Sequence, residues 1–317
     1  MAPPYLLRPL LRSGVVLSHL GELLALSTAL MWGFGATLFG LASSRSSAIL
    51  VNAFRLPAGA TLLWLAWVVT TGTAWPDGIT WRQHMWLGLS GTLGLAIGDS
   101  FYYKGIMLAG PRRASLMLAA TPVVAALTAW PVLGERLGTL ALAGIAVVIG
   151  GILLAVLGRD DGTGDHRGVP RAVLVRGLGA ALVCAVCSAV GNVLAKLGMP
   201  GDTPPLAAAL VRGWWATLAM GVFLLGRRDI VAQLPRLRDP RVLKPAATAV
   251  VLGPFLGMWA AIAALKLTET GVASALMNTV PITVLLPAWL IHRDRPSPTA
   301  LLGVAVAVGG GALLFLR

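Results

Sequence analysis

The sequence predicts an all-α polytopic membrane protein, with ten transmembrane helices arranged as two inverted five-helix repeats. Three observations predict it. Of the 317 residues, 57% are apolar and only 12% charged, against about 25% charged in a soluble domain. Eight runs of at least 19 residues carry no Asp, Glu, Lys, Arg or His. The chain also matches itself at an offset of 159 residues.

The composition excludes several classes. A soluble chain of this size could not hide so much apolar surface. A cytosolic enzyme, a disordered tail and a disulfide-rich secreted module are therefore ruled out. The formal charge of +13 does not point to nucleic acid, because the basic residues fall in gaps between apolar runs. That is the pattern of loops facing a lipid bilayer. Strands are a poor alternative, since a membrane barrel alternates polarity over about ten residues.

Taken in order, residues 1–19 form an N-terminal segment. The run 23–44 meets the roughly 20 residues that a bilayer requires and exceeds a signal-peptide core, so it is expected to be retained. Span 2 covers 56–76 and opens beside Arg55. Span 3, 85–108, is long enough but holds Asp99 and Lys104. Span 4 is 114–133, with Pro122 inside; the Glu135-Arg136 turn leads to span 5, 137–158. Residues 159–176 are the most polar stretch and read as a linker. Span 6 is 177–195, and span 7, 203–226, holds Arg212. The segment 227–244 mixes Arg with apolar residues and should lie on the membrane surface. Spans 8, 9 and 10 are 245–265, 270–291 and 296–316. Trp75, Trp81 and Trp86 suit an interfacial belt. The repeats are then 20–158 and 177–317.

The self-match is specific. Between 94–154 and 253–313, eighteen of 61 positions are identical. Gly94 and Gly98 land on Gly253 and Gly257, Pro122 on Pro281, Trp130 on Trp289, and Gly150-Gly151 on Gly309-Gly310. Upstream, Arg55 meets Arg212 and Gly35 meets Gly191 at slightly shorter offsets. Five spans is an odd number, so the second copy must enter the membrane from the other side. Such inverted repeats are typical of secondary transporters. Exchange of conformation between the halves opens the molecule to one side and then the other.

The stretch RASLMLAATPVVAALTAWPVLGERLGTLALAGIAVVIGGILL resembles the signature half of EamA-type transporters, within the drug/metabolite transporter superfamily. The second copy is similar but has Arg293-Asp294-Arg295 at the Gly-Glu-Arg turn. Trp32-Gly33 also resembles the family pattern, and Ser188-Ala189 replaces that pair in the second copy. The resemblance implies ten helices around a central cavity, with spans 1, 3, 4, 6, 8 and 9 inside and spans 5 and 10 peripheral.

Asp99 is the expected coupling residue, taking protons or substrate. The alternatives are a structural pair with Arg55 or Lys104, or a place near the interface. An acid at mid-span costs about 3 kcal/mol on insertion scales, so it should face a cavity or a partner. Met258 stands at its place in the second copy. Arg55 and Arg212 are read as charge-pairing, snorkelling or anion-binding groups, and Glu135 and Arg136 as a turn ion pair, a lipid-surface contact or a gate. Trp32, Tyr102, Tyr103, Met117, Asn192, Trp259 and Asn278 are the substrate-pocket candidates, with helix packing as the alternative for each. Gly94, Gly98, Gly253 and Gly257 are read as close helix contacts.

No catalytic, cofactor or metal signature is visible. The four His are scattered, and Cys184 and Cys187 sit at helical spacing inside an apolar span. No nucleotide-binding loop opens onto a helix. The expectation is a non-enzymatic secondary transporter in an inner cell membrane. It would export a small metabolite, amino acid or amphipathic compound, working as a monomer or homodimer. The alternatives are an enzyme acting on a lipid-linked substrate and a non-transporting scaffold. Basic residues favour the side opposite the termini by sixteen to seven, which places that side in the cytoplasm. The family resemblance instead implies cytoplasmic termini.

Overall fold

In the computed structural model, residues 19–43, 48–109, 111–157, 170–284, 286–287 and 297–315 are described. They are mostly helical, with no strand among them. The N-terminal segment 1–18, residues 159–169 of the expected linker and the second turn around Asp294-Arg295 lie outside them.

Helices α1 (Leu20–Ser43) and α2 (Ala48–Thr71) open the first repeat. Helix α3 spans 81–109 in three pieces: Trp81–Gly91, a π-helical segment Thr92–Gly98, and Asp99–Ala109. Helix α4 spans 111–133 and breaks between Pro111–Leu118 and Thr121–Leu133. Helix α5 is Thr139–Leu157. In the second repeat α6 is Arg171–Leu197, and α7 is Pro205–Leu225. Helix α6 thus begins inside the stretch expected as linker. A turn at Arg228–Val231 and a 3₁₀ turn at Leu234–Arg238 cover the surface segment. Helix α8 spans 240–267 as Pro240–Val250, a π-helical segment Val251–Gly257, and Met258–Leu267. Helix α9 begins with Thr270–Met277 and Val280–Thr283, and α10 is Pro298–Phe315. Eight stretches are long and apolar enough to cross a bilayer. Helix α3 and the described part of α9 are not among these eight.

Local sequence explains the irregularities. Thr80 and Gln83 form a capping box at the start of α3, which satisfies orphan N–H groups there. In α4 and α9 the helix breaks just before Pro122 and Pro281. Each Pro lacks an N–H and crowds the carbonyl of the preceding turn. Ala119 and Thr279 donate instead to Leu116 and Leu276, three residues back. The two π-helical segments also fall at the same place in both repeats, with Gly94/Gly98 in one and Gly253/Gly257 in the other. A π turn is rare and re-aims the helix beyond it; Asp99 and Met258 are the first residues beyond these two.

Equivalent helices run in opposite directions. A Cβ on Gly144 would meet Leu314, one on Gly151 Ala307, and one on Gly303 Ala155. Rising positions on α5 therefore face falling positions on α10, its repeat mate. Helix α6 measures the separation of the two ends. Gly177 packs on Ala109 at the close of α3, while Lys196 Nζ donates to the Thr268 carbonyl at the close of α8. Those contacts lie roughly 28 Å apart by the helical rise, close to a hydrocarbon core of about 30 Å. The near end holds the start of α1 and the finish of α10, where His19 and Phe315 rings meet at 5.5 Å. The far end holds the close of α3.

Candidate functional site

The π turn delivers Asp99 to Arg55 of α2. Arg55 Nη2 donates to Asp99 Oδ2, and Arg55 Nε donates to Asn52 Oδ1 at 2.6 Å. The guanidinium lies over the Phe39 ring, 5.8 Å from its centroid. Of the two partners expected for the acid, Arg55 is the one used; Lys104 is exposed. The pair keeps contact with the outside, the side chains being 18% and 22% exposed. Asp99 sits about 15 Å from the far end of α3 by the helical rise.

Arg212 of α7, the repeat mate of Arg55, is placed differently. It is 5% exposed, and its Nε has no hydrogen-bond partner among the described residues. The expectation that it snorkels to the surface is corrected. Gly91 and Gly94 let α7 lie directly on the α3 backbone. A Cβ on Gly94 would reach Arg212 Nη2 at 3.0 Å, and one on Gly91 would reach its Cγ at 3.2 Å. The side chain is thus sealed between helices. Met258, at the Asp99 position, is buried and offers it no charge.

The near end is latched. Gly134 adopts a left-handed φ of 71° at the close of α4, a conformation glycine takes readily. It turns the chain so that Glu135 faces α6 and α9. Glu135 Oε1 pairs with Lys196 Nζ at 2.7 Å. Its Oε2 accepts the Thr270 N–H at 2.7 Å, and Oε1 accepts the Thr270 hydroxyl at 3.0 Å. A carboxylate at a helix N-terminus is favoured by the helix dipole. Lys196 also donates to the Thr268 carbonyl at 2.6 Å, and the Thr268 hydroxyl donates to Glu22 at 3.0 Å. Lys266 and Gln83 both reach Thr203. The turn pair expected between Glu135 and Arg136 is corrected: Glu135 turns inward to Lys196, and Arg136 is exposed.

The pocket candidates are partly brought together. Asn192 Nδ2 donates to Ser274 Oγ at 3.1 Å, and Asn278 Nδ2 to the Ser274 carbonyl at 2.7 Å. The two therefore converge on one buried residue of α9. Tyr102 and Tyr103 are half-buried, with ring centroids 6.3 Å apart. Trp32 lies on the π segment of α8, where a Cβ on Gly257 would come within 2.6 Å of its Nε1. Met117 is half-buried just before the α4 break. Trp259 differs in exposure. It is 37% exposed on a half-helix whose neighbours at 258 and 260–265 are buried. Gly98 packs against Cys187, and Gly253 faces Gly35 and Phe39. No cluster of His, Cys, Asp and Glu suited to a metal occurs among the described residues. A cavity of about 460 Å³ lies at the near end, lined by Trp67, Asp77, Gln83 and Asp202. It touches none of the pocket candidates.

The profile of the EamA-like transporter family matches residues 19–157 and 175–316. The chain belongs to the EamA-like transporter family. Members of this family are generally transporters rather than enzymes, and this EamA protein is an integral multi-pass membrane protein. No curated protein matches its sequence. A crystal structure of a protein 20% identical in sequence superposes with a TM-score of 0.75, over 93% of this chain and 96% of that one. That likeness concerns the fold alone.

Sequence reasoning missed most of the latch. Lys196, Thr268, Thr270 and Glu22 are ordinary residues at helix ends, and no local pattern marks them. Only the repeat gives a hint. Thr268 and Thr270 stand where the first copy has Ala109 and Pro111, and Lys196 where it has Gly40. Polar residues that the first copy lacks at the matching places, joined to Glu22 and Glu135, mark one end of the EamA fold as different from the other.

Proposed function

We propose that this EamA protein is a secondary transporter that exports a small metabolite, amino acid or amphipathic compound across the inner cell membrane. It works by alternating access between its repeats, as a monomer or homodimer, and protons couple to the cycle at Asp99. One observation carries the reading. The segment Met258–Leu267 is packed almost throughout, whereas its repeat mate Asp99–Ala109 buries only Gly105 and Ala109. Near-equivalent half-helices are thus closed at one end and open at the other, as an inverted-repeat carrier requires in a single state. By the basic-residue count, the open far end faces the cytoplasm. Protonation of Asp99 would free Arg55 and let α2 move against α3. Export then proceeds by cytoplasmic loading, release of the latch and discharge at the near end.

The test is flux in proteoliposomes under an imposed pH gradient. Wild-type protein should carry protons together with a cargo found by substrate screening. Asp99→Asn should fold and lose the proton dependence. An unchanged pH profile in that variant removes Asp99 from the mechanism.

A further inference from the structure

We propose that Arg212 is the receptor for a carboxylate on the cargo, so that this carrier handles organic anions or zwitterions. The inference rests on the transporter reading above and adds the substrate class. Its basis is a comparison the protein makes with itself. In the first repeat, the arginine at this place is neutralised by Asp99 and steadied by Asn52. In the second, Arg212 is more deeply buried, has an unpartnered Nε, and faces no ion-pair partner among the described residues. The chain has replaced the matching acid by Met258. An uncompensated guanidinium between membrane helices is costly. Arg55 and Asp99 cancel one another, so one positive charge is left over at mid-span.

The group itself suits a small planar anion. A guanidinium presents parallel N–H donors that match a carboxylate fork. Gly91 and Gly94 bring the α3 backbone directly against it, so the site is closed in this state and opens only when α7 moves from α3. Arg212 lies about 10 Å into α7 from the near end by the helical rise, the end that Glu135, Lys196 and Thr268 hold together. The site is covered while the near end is shut. Opening of that end would bring the anion to Arg212 during discharge, while Arg55 stays occupied by Asp99.

The experiment uses the purified full-length protein in detergent. Thermal unfolding is followed with sodium acetate or sodium benzoate, with acetamide or benzamide, and with sodium chloride at matched ionic strength. At least one carboxylate should raise the midpoint by several degrees above chloride, and its amide should not. Met258→Asp supplies the missing acid from within and should abolish that response. Arg212→Gln should abolish it too, so either variant suffices if the other does not fold. Equal responses to acid and amide overturn the proposal. So does a chloride response as large as that of either carboxylate, or a response that survives in a folded variant. Failure of the transport reading would show separately, as absent proton-driven flux in vesicles, and would leave the binding result standing.

Discussion

The Glu135 carboxylate caps the N-terminus of α9 by accepting the Thr270 N–H at 2.7 Å, across 135 residues of sequence. The residue that precedes that helix, Glu269, makes no side-chain cap of its own. A single acid therefore satisfies a helix end, an ammonium group and a hydroxyl at once. Glu135→Ala leaves Lys196 without its carboxylate and Thr270 without its acceptor. Breaking such a pair costs about 3 kcal/mol. The near end should then open more often. In a variant lacking both native cysteines, a cysteine placed at buried Ala273 should react with maleimide at least tenfold faster once Glu135 is Ala. An unchanged labelling rate would show that the latch does not hold this end shut.

Two adjacent glycines on α5 give a sharper test of helix contact. A Cβ at Gly151 would strike the Ala307 backbone of α10, while one at Gly150 would meet nothing within 4 Å. Gly150→Ala should raise stability by up to about 1 kcal/mol, through helix propensity. Gly151→Ala should lower it by about 1–3 kcal/mol, because the backbones must part. Their mates, Gly309 and Gly310, should behave in the same order. Thermal unfolding of the four variants reads the difference, and equal shifts for Gly150 and Gly151 would contradict the packing.

The fold is legible in the sequence because its two strongest signals are global. Apolar runs mark helices, and the 159-residue offset pairs them. The offset even aligns features that no residue pattern announces, such as the π turns before Asp99 and Met258. The site is only half-readable in the same way. Asp99 stands out because an acid inside a span is rare, and Arg55 is already a candidate partner by sequence. The burial of Arg212 is hidden, since a position two turns from a loop permits snorkelling. Only the close approach allowed by Gly91 and Gly94 prevents it. Glu135 pairs by sequence with its neighbour Arg136, whereas the left-handed turn at Gly134 points it inward.

Orientation of the repeats is open to direct measurement. Arg113 at the far end and Leu267 at the near end are both exposed, and they flank equivalent helix ends. Cysteines at the two positions should be labelled by an impermeant maleimide from opposite faces of the membrane. Labelling of both from one face would rule out the inverted arrangement and the carrier mechanism that depends on it.

The last prediction concerns the ion pair itself. Removing either Arg55 or Asp99 alone leaves its partner as an uncompensated charge between helices, a loss of about 3 kcal/mol where the pair is well shielded. Their partial exposure should moderate that cost, so single variants should unfold a few degrees early. The second repeat shows that methionine fits the acid position, since Met258 is accommodated there. The double variant Arg55→Met, Asp99→Met carries no stranded charge and should recover much of the stability, giving a positive coupling in a double-mutant cycle. It should nevertheless show no proton-dependent flux, because nothing in the pair can then titrate. Recovery of stability with flux still responding to pH would separate the ion pair from coupling and leave it a purely structural contact.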